Sequence, residues 1–148
     1  MQLKEMGANQ VITVAMETTL EEAARVMRDE HVGDVVVVSD HKPRGILTDR
    51  DIVMTTIALG APANPLTAGD LMSADLVTIL ETESVSTLVS LMKRNGVRRV
   101  PLVKETGELV GIVSVEDVMS YLARELTALS EISIRQREKE RHRRRNVA

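Results

Sequence analysis

Two stretches of the sequence place a hydroxyl side chain three residues before a carboxylate, at the end of a short apolar segment. The first stretch, residues 45–51 (GILTDRD), contains Thr48 and Asp51. The second stretch, residues 111–117 (GIVSVED), contains Ser114 and Asp117. Each is predicted to be a buried strand that runs directly into a helix. We refer to them as the first corner and the second corner.

The hydroxyl and the carboxylate of each corner have two interpretations. Thr or Ser at the N-cap and Asp three residues later form a good helix cap, and the spacing alone favours this role. An ionised carboxylate can also accept hydrogen bonds from the two vicinal hydroxyls of a ribose, each worth about 1.5–3 kcal/mol. The hydroxyl and the free N–H groups of the first turn can bind a phosphate. The two roles are compatible.

An internal repeat positions the corners. Position 11 aligns with position 76 and, after one turn that is a residue longer in the second half, position 45 aligns with position 111. Each half reads as strand, helix, strand, turn, strand, helix. The predicted strands are 12–14, 35–38 and 45–47 in the first copy and 77–79, 100–103 and 109–113 in the second. The predicted helices are 20–30 and 49–59, then 85–95 and 115–126 or beyond.

Local signals support these elements. Thr19 and Glu22 have the spacing of a capping box, and Gly96 stands where a helix would stop in a left-handed conformation. The central strands are continuously apolar, which indicates burial on both faces. A copy of about 60 residues has little core of its own, so we expect the two copies to pack as one compact unit.

Composition excludes several classes of function. The sequence has no cysteine and a single aromatic residue, Tyr121, so thiolate metal sites and base stacking by aromatic side chains are not available. The three histidines, His31, His41 and His142, are scattered, and no catalytic fingerprint is present. We therefore expect no enzyme activity and no metal site. No apolar run reaches the length of a membrane span, and the polar start lacks a signal peptide, so a cytoplasmic location is expected.

The last part of the chain differs from the repeat. Apolar residues continue one helical stripe from Val118 through Leu122, Leu126 and Leu129, which suggests a helical extension that packs on a partner such as another subunit. Residues 135–145 carry seven Arg/Lys and two Glu, a net charge of +5, whereas the rest of the chain carries 12 basic and 20 acidic residues, a net of −8. The basic run is predicted to be a solvated or disordered tail. Because the body is acidic, nucleic-acid binding is not expected.

The repeat resembles the tandem form of the cystathionine β-synthase (CBS) domain family. The two corners carry this resemblance, together with the openings of the central strands at His31-Val32 and Gly96-Val97, and Pro101. It implies an α+β fold of two β-α-β-β-α motifs packed pseudo-symmetrically as one module, with a C-terminal helical extension. The corresponding divisions are motif 1 at 3–60, a linker at 61–67, motif 2 at 68–126, and the extension with its basic tail at 127–148.

The resemblance also implies a ligand and a site. Members of the family bind adenosine-containing ligands, such as AMP, ADP, ATP or S-adenosylmethionine, in clefts between the two motifs. By analogy, Ser114 and Asp117 share a cleft with Ile12 and Val32, and Thr48 and Asp51 share the other with Val77 and Val97. Arg98 and Arg50 are phosphate candidates. The implied ligand-binding residues are thus Ile12, Val32, Thr48, Arg50, Asp51, Val77, Val97, Arg98, Ser114 and Asp117. Each also has a plainer role, as a core residue, a helix cap or an exposed helix residue.

The two clefts are not expected to be equal. Copy two has Arg98-Arg99 where copy one has Gly33-Asp34, and a guanidinium suits phosphate whereas a carboxylate repels it. The second corner is therefore predicted to hold the better site for a phosphorylated ligand.

The function expected from the sequence is a stand-alone regulatory module that senses an adenosine-containing ligand. It would require no cofactor, form a homodimer as a disc of four motifs, and act on a regulated protein that the sequence does not identify. The alternative is a structural interaction module without bound nucleotide, which acts through dimerisation and the C-terminal helix.

Overall fold

The computed structural model describes residues 3–6 and 11–145. Backbone contacts divide the chain into two compact units, residues 1–114 and 115–148. The helices of the first unit are α1 (Leu3–Met6), α2 (Leu20–Asp29), α3 (Asp49–Val53), which continues into a π-helical turn (Met54–Ala58), α4 (Ala68–Leu71) and α5 (Val85–Asn95). Its strands are β1 (Thr13–Ala15), β2 (Asp34–Ser39), β3 (Lys42–Thr48), β4 (Ile79–Leu80), β5 (Arg99–Val103) and β6 (Leu109–Ser114). The second unit is helix α6 (Val115–Arg145).

The six strands form two three-stranded sheets with the same topology. In β1-β2-β3 and in β4-β5-β6, the central strand pairs parallel with the first strand and antiparallel with the third. Even an irregularity is repeated, since the antiparallel register shifts between Val37 and Val38 and again at the equivalent positions, between Leu102 and Val103. The predicted mixed fold of two equivalent motifs is confirmed.

The order of elements within each motif was predicted incompletely. Each motif begins with a short helix that the predicted β-α-β-β-α order lacks, α1 in the first and α4 at the equivalent place in the second. These helices are exchanged: Ala68 of α4 lies in the hydrophobic core of motif 1, and α1 contacts β6 of motif 2. Backbone bonds fix the exchange, with the N–H of Ala68 donating to the Thr18 carbonyl at 2.7 Å. Each motif therefore packs against a short helix that belongs to the other motif.

Helix limits follow the local signals closely. Helix α2 begins with the predicted capping box, in which Thr19 and Glu22 bond reciprocally. Helix α5 spans the predicted residues, is capped by Ser84, and ends at Gly96 with a φ of 65°. Both features are determined within a few residues of the chain, so the sequence specifies them.

Edge strands and turns differ from prediction because they depend on partners. Strand β1 is 13–15 rather than 12–14, and β4 is 79–80 rather than 77–79, where each pairs with its central strand. The turn between β2 and β3 consists of Asp40 and His41, whose φ values of 52° and 61° suit a tight hairpin. Pro43 pairs with Val38 inside the extended strand β3.

Helix α6 continues well beyond residue 126, in the direction of the predicted helical extension. It spans 31 residues, about 46 Å, and includes the basic run up to Arg145. The run was expected to be solvated or disordered; it is helical, and every residue from Leu122 to Arg144 is exposed, so it is of the solvated kind. Residues 146–148 lie outside the described part of the chain. Among residues 3–6 and 11–145, none of the helices is both long and apolar enough to cross a bilayer.

Candidate functional site

The first corner forms a complete capping box. Thr48 is the last residue of β3 and the N-cap of α3, and its hydroxyl oxygen accepts from the Asp51 N–H at 3.1 Å. The Asp51 carboxylate accepts from the Thr48 N–H at 3.0 Å and from its hydroxyl at 2.7 Å. Both bonds end on Oδ2, so within the described residues Oδ1 is the oxygen through which Asp51 could accept a hydrogen bond from a ligand hydroxyl.

The same geometry occurs again at the start of α4. The Asp70 Oδ2 accepts from the Thr67 N–H at 2.8 Å and from its hydroxyl at 2.9 Å. The backbone hydrogen bond from Thr67 is the main reason that the pKa of Asp70 lies below its usual range. This box caps a four-residue helix and does not follow a β-strand of a corner. Box geometry therefore does not by itself identify a ligand site, and Asp70 provides a matched control.

An ion pair brings the two corners together. Asp34 lies opposite Thr48 in the register of β2 and β3, and Arg99 lies opposite Ser114 in the register of β5 and β6. The Arg99 Nε and the Asp34 Oδ2 are 2.9 Å apart. Because Asp34 and Arg99 occupy equivalent positions of the repeat, this contact places them at the pseudo-two-fold axis, with one corner hydroxyl on each side.

The carboxylate of Asp34 is partly buried, and its pKa is raised. Burial raises its pKa, the Arg99 guanidinium lowers it, and the Asp49 carboxylate raises it further, with an upward net effect. Asp49 is held close by its N–H, which donates to the Gly33 carbonyl at 2.9 Å. A Cβ at Gly33 would lie 3.3 Å from the Asp49 Oδ2. Asp34 therefore lies close to a second carboxylate, Asp49, as well as to the Arg99 guanidinium.

The four predicted wall residues lie at equivalent positions just before strands. Val32 and Val97 are half-buried and donate equivalent backbone bonds, to the Met27 carbonyl at 3.0 Å and to the Met92 carbonyl at 3.1 Å. Ile12 and Val77 are also half-buried and precede β1 and β4. The structure thus gives each pair the same local setting, and their contact with a ligand stays a prediction.

Val32 also lines a cavity of about 290 Å³ between α2 and α3. All of its lining residues belong to motif 1, namely Ala24, Met27, Arg28, Val32, Asp49, Ile52 and Val53. This cavity is not the inter-motif cleft to which the sequence assigned Val32. Its floor is apolar, and Arg28 and Asp49 add one charge of each sign.

The remaining predicted site residues are placed as follows. Arg50 is exposed on the first turn of α3, and its N–H donates to the Asp49 Oδ1 at 2.7 Å. Arg98 is exposed and directly precedes β5. Ser114 is the last residue of β6, and Asp117 is the third residue of α6; both are half-buried.

Two features of the site were not predicted from the sequence. The first is the tight packing around Gly45, the residue that begins the first corner. A Cβ at this position would lie 2.6 Å from the Ser73 carbonyl oxygen and 2.8 Å from the Met72 Cβ. The chain entering motif 2 thus packs against β3, and the Ser73 N–H donates to the Ile46 carbonyl at 3.0 Å. The Asp34–Arg99 pair was also missed, although opposite charges at equivalent positions of a repeat were a signal for it.

The CBS domain model matches residues 3–56 and 68–124, which together cover most of the chain. The chain belongs to the CBS domain family. The two matched segments contain the two sheets, and each ends beyond a corner, so the CBS pair accounts for the repeat found in the sequence.

Relatives and solved structures agree with this assignment. The chain is 36% identical over 116 residues to an uncharacterised protein of Methanopyrus kandleri, a match to 78% of this chain and 59% of that protein. It is 35% identical over 113 residues to Hypoxic response protein 1 of Mycobacterium tuberculosis, covering 76% of this chain and 78% of the relative.

The crystal structure of Hypoxic Response Protein I with two coordinated zinc ions superimposes with a TM-score of 0.72 at 32% identity, over 82% of this chain and 98% of that one. The CBS domain pair of protein MJ0100, in complex with 5-methylthioadenosine and S-adenosyl-L-methionine, superimposes with a TM-score of 0.72 at 25% identity, over 84% of this chain and 98% of that one.

Proposed function

We propose that this CBS pair is a regulatory module that binds an adenosine-containing ligand between its two motifs. The observation that carries the proposal is the convergence of the two corners on the Asp34–Arg99 pair. It brings two hydroxyls to one region of the molecule, each three residues before a carboxylate. A ribose and a phosphate need this combination of acceptors and helix N-termini.

The similarity to a solved CBS pair supports the ligand class. That protein's structure contains 5-methylthioadenosine and S-adenosyl-L-methionine, and the chain matches it over nearly its whole length. The structure of Hypoxic Response Protein I contains two coordinated zinc ions, but we do not propose a zinc site for this chain. Residues 3–6 and 11–145 contain no group of three His, Asp or Glu side chains placed to hold a metal ion.

Arg98 is the main candidate for a phosphate group. The sequence suggested two arginines beside the second corner, but the guanidinium of Arg99 is 2.9 Å from the Asp34 carboxylate. Its charge is therefore shared with Asp34, which weakens the predicted preference of the second corner for phosphate. Thr48, Asp51 and Arg50 would form the weaker site.

The proposal also includes an assembly, a homodimer, and a location, the cytoplasm. Exposed apolar side chains at Val53, Met54, Ile57 and Leu59, which are 50–80% exposed, offer a surface for a second copy and support a homodimer of four motifs. The absence of cysteine from the sequence supports action in the cytoplasm. The module has no proposed catalytic residue; it would report ligand occupancy to a regulated protein.

Isothermal titration calorimetry tests the ligand proposal. We expect the wild-type chain to bind at least one of AMP, ADP, ATP and S-adenosylmethionine. Asp117→Ala should weaken binding about 10- to 100-fold, because it removes charge-assisted bonds worth about 1.5–3 kcal/mol. Asp51→Ala should have a smaller effect on a phosphorylated ligand than Asp117→Ala.

Asp70→Ala is the matched control, since it removes the same type of capping carboxylate away from the corners. It should leave affinity unchanged. Equal losses in Asp70→Ala and Asp117→Ala would show that the carboxylates act only as caps. Absence of binding for all four ligands, with the fold intact, would favour the alternative of a structural interaction module. That alternative has one observation in its favour, because Asp51 already serves as a cap.

A further inference from the structure

Helix α6 carries an apolar stripe that its own chain leaves exposed. Four side chains follow a three-four-three spacing, Met119, Leu122, Leu126 and Leu129, and they are 64%, 49%, 67% and 60% exposed. This is the spacing of a and d positions in a helix that packs along another helix. We call these four residues the α6 stripe. Leaving four large apolar side chains in water is unfavourable, so the stripe indicates an interaction surface.

Charge is distributed unevenly along the same helix. Residues 115–131 carry one Arg and four Asp/Glu, a net of −3, whereas residues 135–145 carry seven Arg/Lys and two Glu, a net of +5. The apolar stripe and the basic segment therefore follow one another along the axis. In a helix that lies on a membrane, apolar and basic residues instead share the same turns on opposite faces. The stripe suits another helix as its partner.

We propose that the α6 stripe binds the α6 stripe of a second copy of this chain, with the two helices antiparallel and crossing at position 124. The spacing is symmetrical about that position. Met119 then faces the partner's Leu129, and Leu122 faces the partner's Leu126. Repeated by the two-fold axis, these contacts give four layers in which every apolar side chain meets an apolar side chain.

The basic segments decide the orientation. A parallel pair would hold two segments of net charge +5 side by side, about 10 Å apart, which is about one Debye length at physiological salt. In the antiparallel pair the midpoints of the segments are separated by about 48 Å, so their repulsion is screened away.

Single cysteines test both the contact and its orientation, because the sequence has none of its own. Met119→Cys and Leu129→Cys are purified separately, and then mixed under reducing conditions and oxidised. We expect the mixture to form the mixed disulfide, identified by mass spectrometry. Neither variant alone should cross-link, since two antiparallel helices place the Met119 positions about 15 Å apart along the axis, beyond the reach of a disulfide.

Arg124→Cys, on the opposite side of the helix, controls for random collisions. Cross-linking of each single variant alone would overturn the antiparallel orientation in favour of a parallel one. No cross-linking above the Arg124→Cys level in any sample would overturn the docking itself. The proposal does not depend on ligand binding, so calorimetry on the same variants separates its failure from failure of the proposed function.

A second measurement uses sedimentation equilibrium. The double substitution Leu122→Asp/Leu126→Asp should lower the mass of the assembly, whereas Thr127→Asp, on the polar face, should not. Far-UV circular dichroism checks that both variants remain folded. An unchanged mass for the double variant would also overturn the proposal.

Discussion

The two corners begin alike and continue differently. The helix after Thr48 consists of five α-helical residues followed by a π-helical turn. The chain turns away from this helix at Gly60, whose φ is 70°. After Ser114 the helix continues for 31 residues. Each helix therefore starts directly after the hydroxyl residue of its corner, but the two helices differ in how far they run. Helix length depends on the residues after the corner, which form a glycine and proline linker in one case and a helix-forming sequence in the other.

Positions 34 and 99 give a second contrast between the motifs. They are equivalent in the repeat and carry opposite charges, and the structure pairs them at 2.9 Å. The charge difference between positions 34 and 99, from which unequal clefts were predicted, also forms a contact between the two motifs. A pseudo-two-fold axis brings equivalent residues close to one another, so an asymmetric pair near the axis can form one contact instead of two separate sites.

The largest expected effect tests whether the two motifs unfold as one cooperative unit. Leu47 and Val113 are equivalent and both fully buried. Leu47→Ala should lower the free energy of unfolding by about 2–5 kcal/mol. Val113→Ala should cost less, because it removes one carbon fewer, worth about 0.8 kcal/mol. Urea denaturation should show one transition for both variants. A second transition in either would mean that the motifs unfold separately.

A smaller effect is expected at the glycine that opens the first corner. Gly45→Ala should cost about 1–3 kcal/mol, because the new Cβ would meet backbone and Cβ atoms of residues 72 and 73. Gly33→Ala is the comparison, since its Cβ would meet only the side chain of Asp49, which can move. Thermal unfolding should rank Gly45→Ala as the less stable variant, and the reverse order would contradict the packing described for Gly45.

The smallest effect concerns the pH dependence of the Asp34–Arg99 pair. Because burial raises the pKa of Asp34, the folded state keeps its proton at a pH where the unfolded chain has already ionised. The stability that Asp34 contributes is therefore greatest below its ordinary pKa of about 3.9 and is lost as the pH rises through the folded value.

Asp34→Asn removes this dependence. The free energy of unfolding of the wild type, minus that of the variant, should be larger at pH 3.5 than at pH 7. The change between the two pH values should be about 1 kcal/mol or less, because Arg99 is 44% exposed. Subtracting the free energies of unfolding that urea denaturation gives for the two proteins at each pH cancels the contributions of the carboxylates that both proteins contain. A difference that does not change with pH would show that burial and Arg99 balance each other at Asp34.

Much of the architecture could be predicted from short-range patterns. The repeat, the capping box at Thr19, the stop at Gly96 and the start of β6 at Leu109 all agree with the structure. Each depends on residues within one turn or one strand, where propensity and capping act directly. The corners were found for the same reason, since a strand end and an N-cap are adjacent in sequence.

The sequence by itself thus determined that the chain is a tandem CBS pair and where helices α2, α3, α5 and α6 begin. Only the tertiary structure decided that α1 and α4 are exchanged, that Asp34 pairs with Arg99, and that Gly45 is required by the chain at Ser73. These contacts join residues that are far apart in the sequence. No local pattern encodes them, because they arise when two half-cores that are too small to be stable alone bury their apolar faces together.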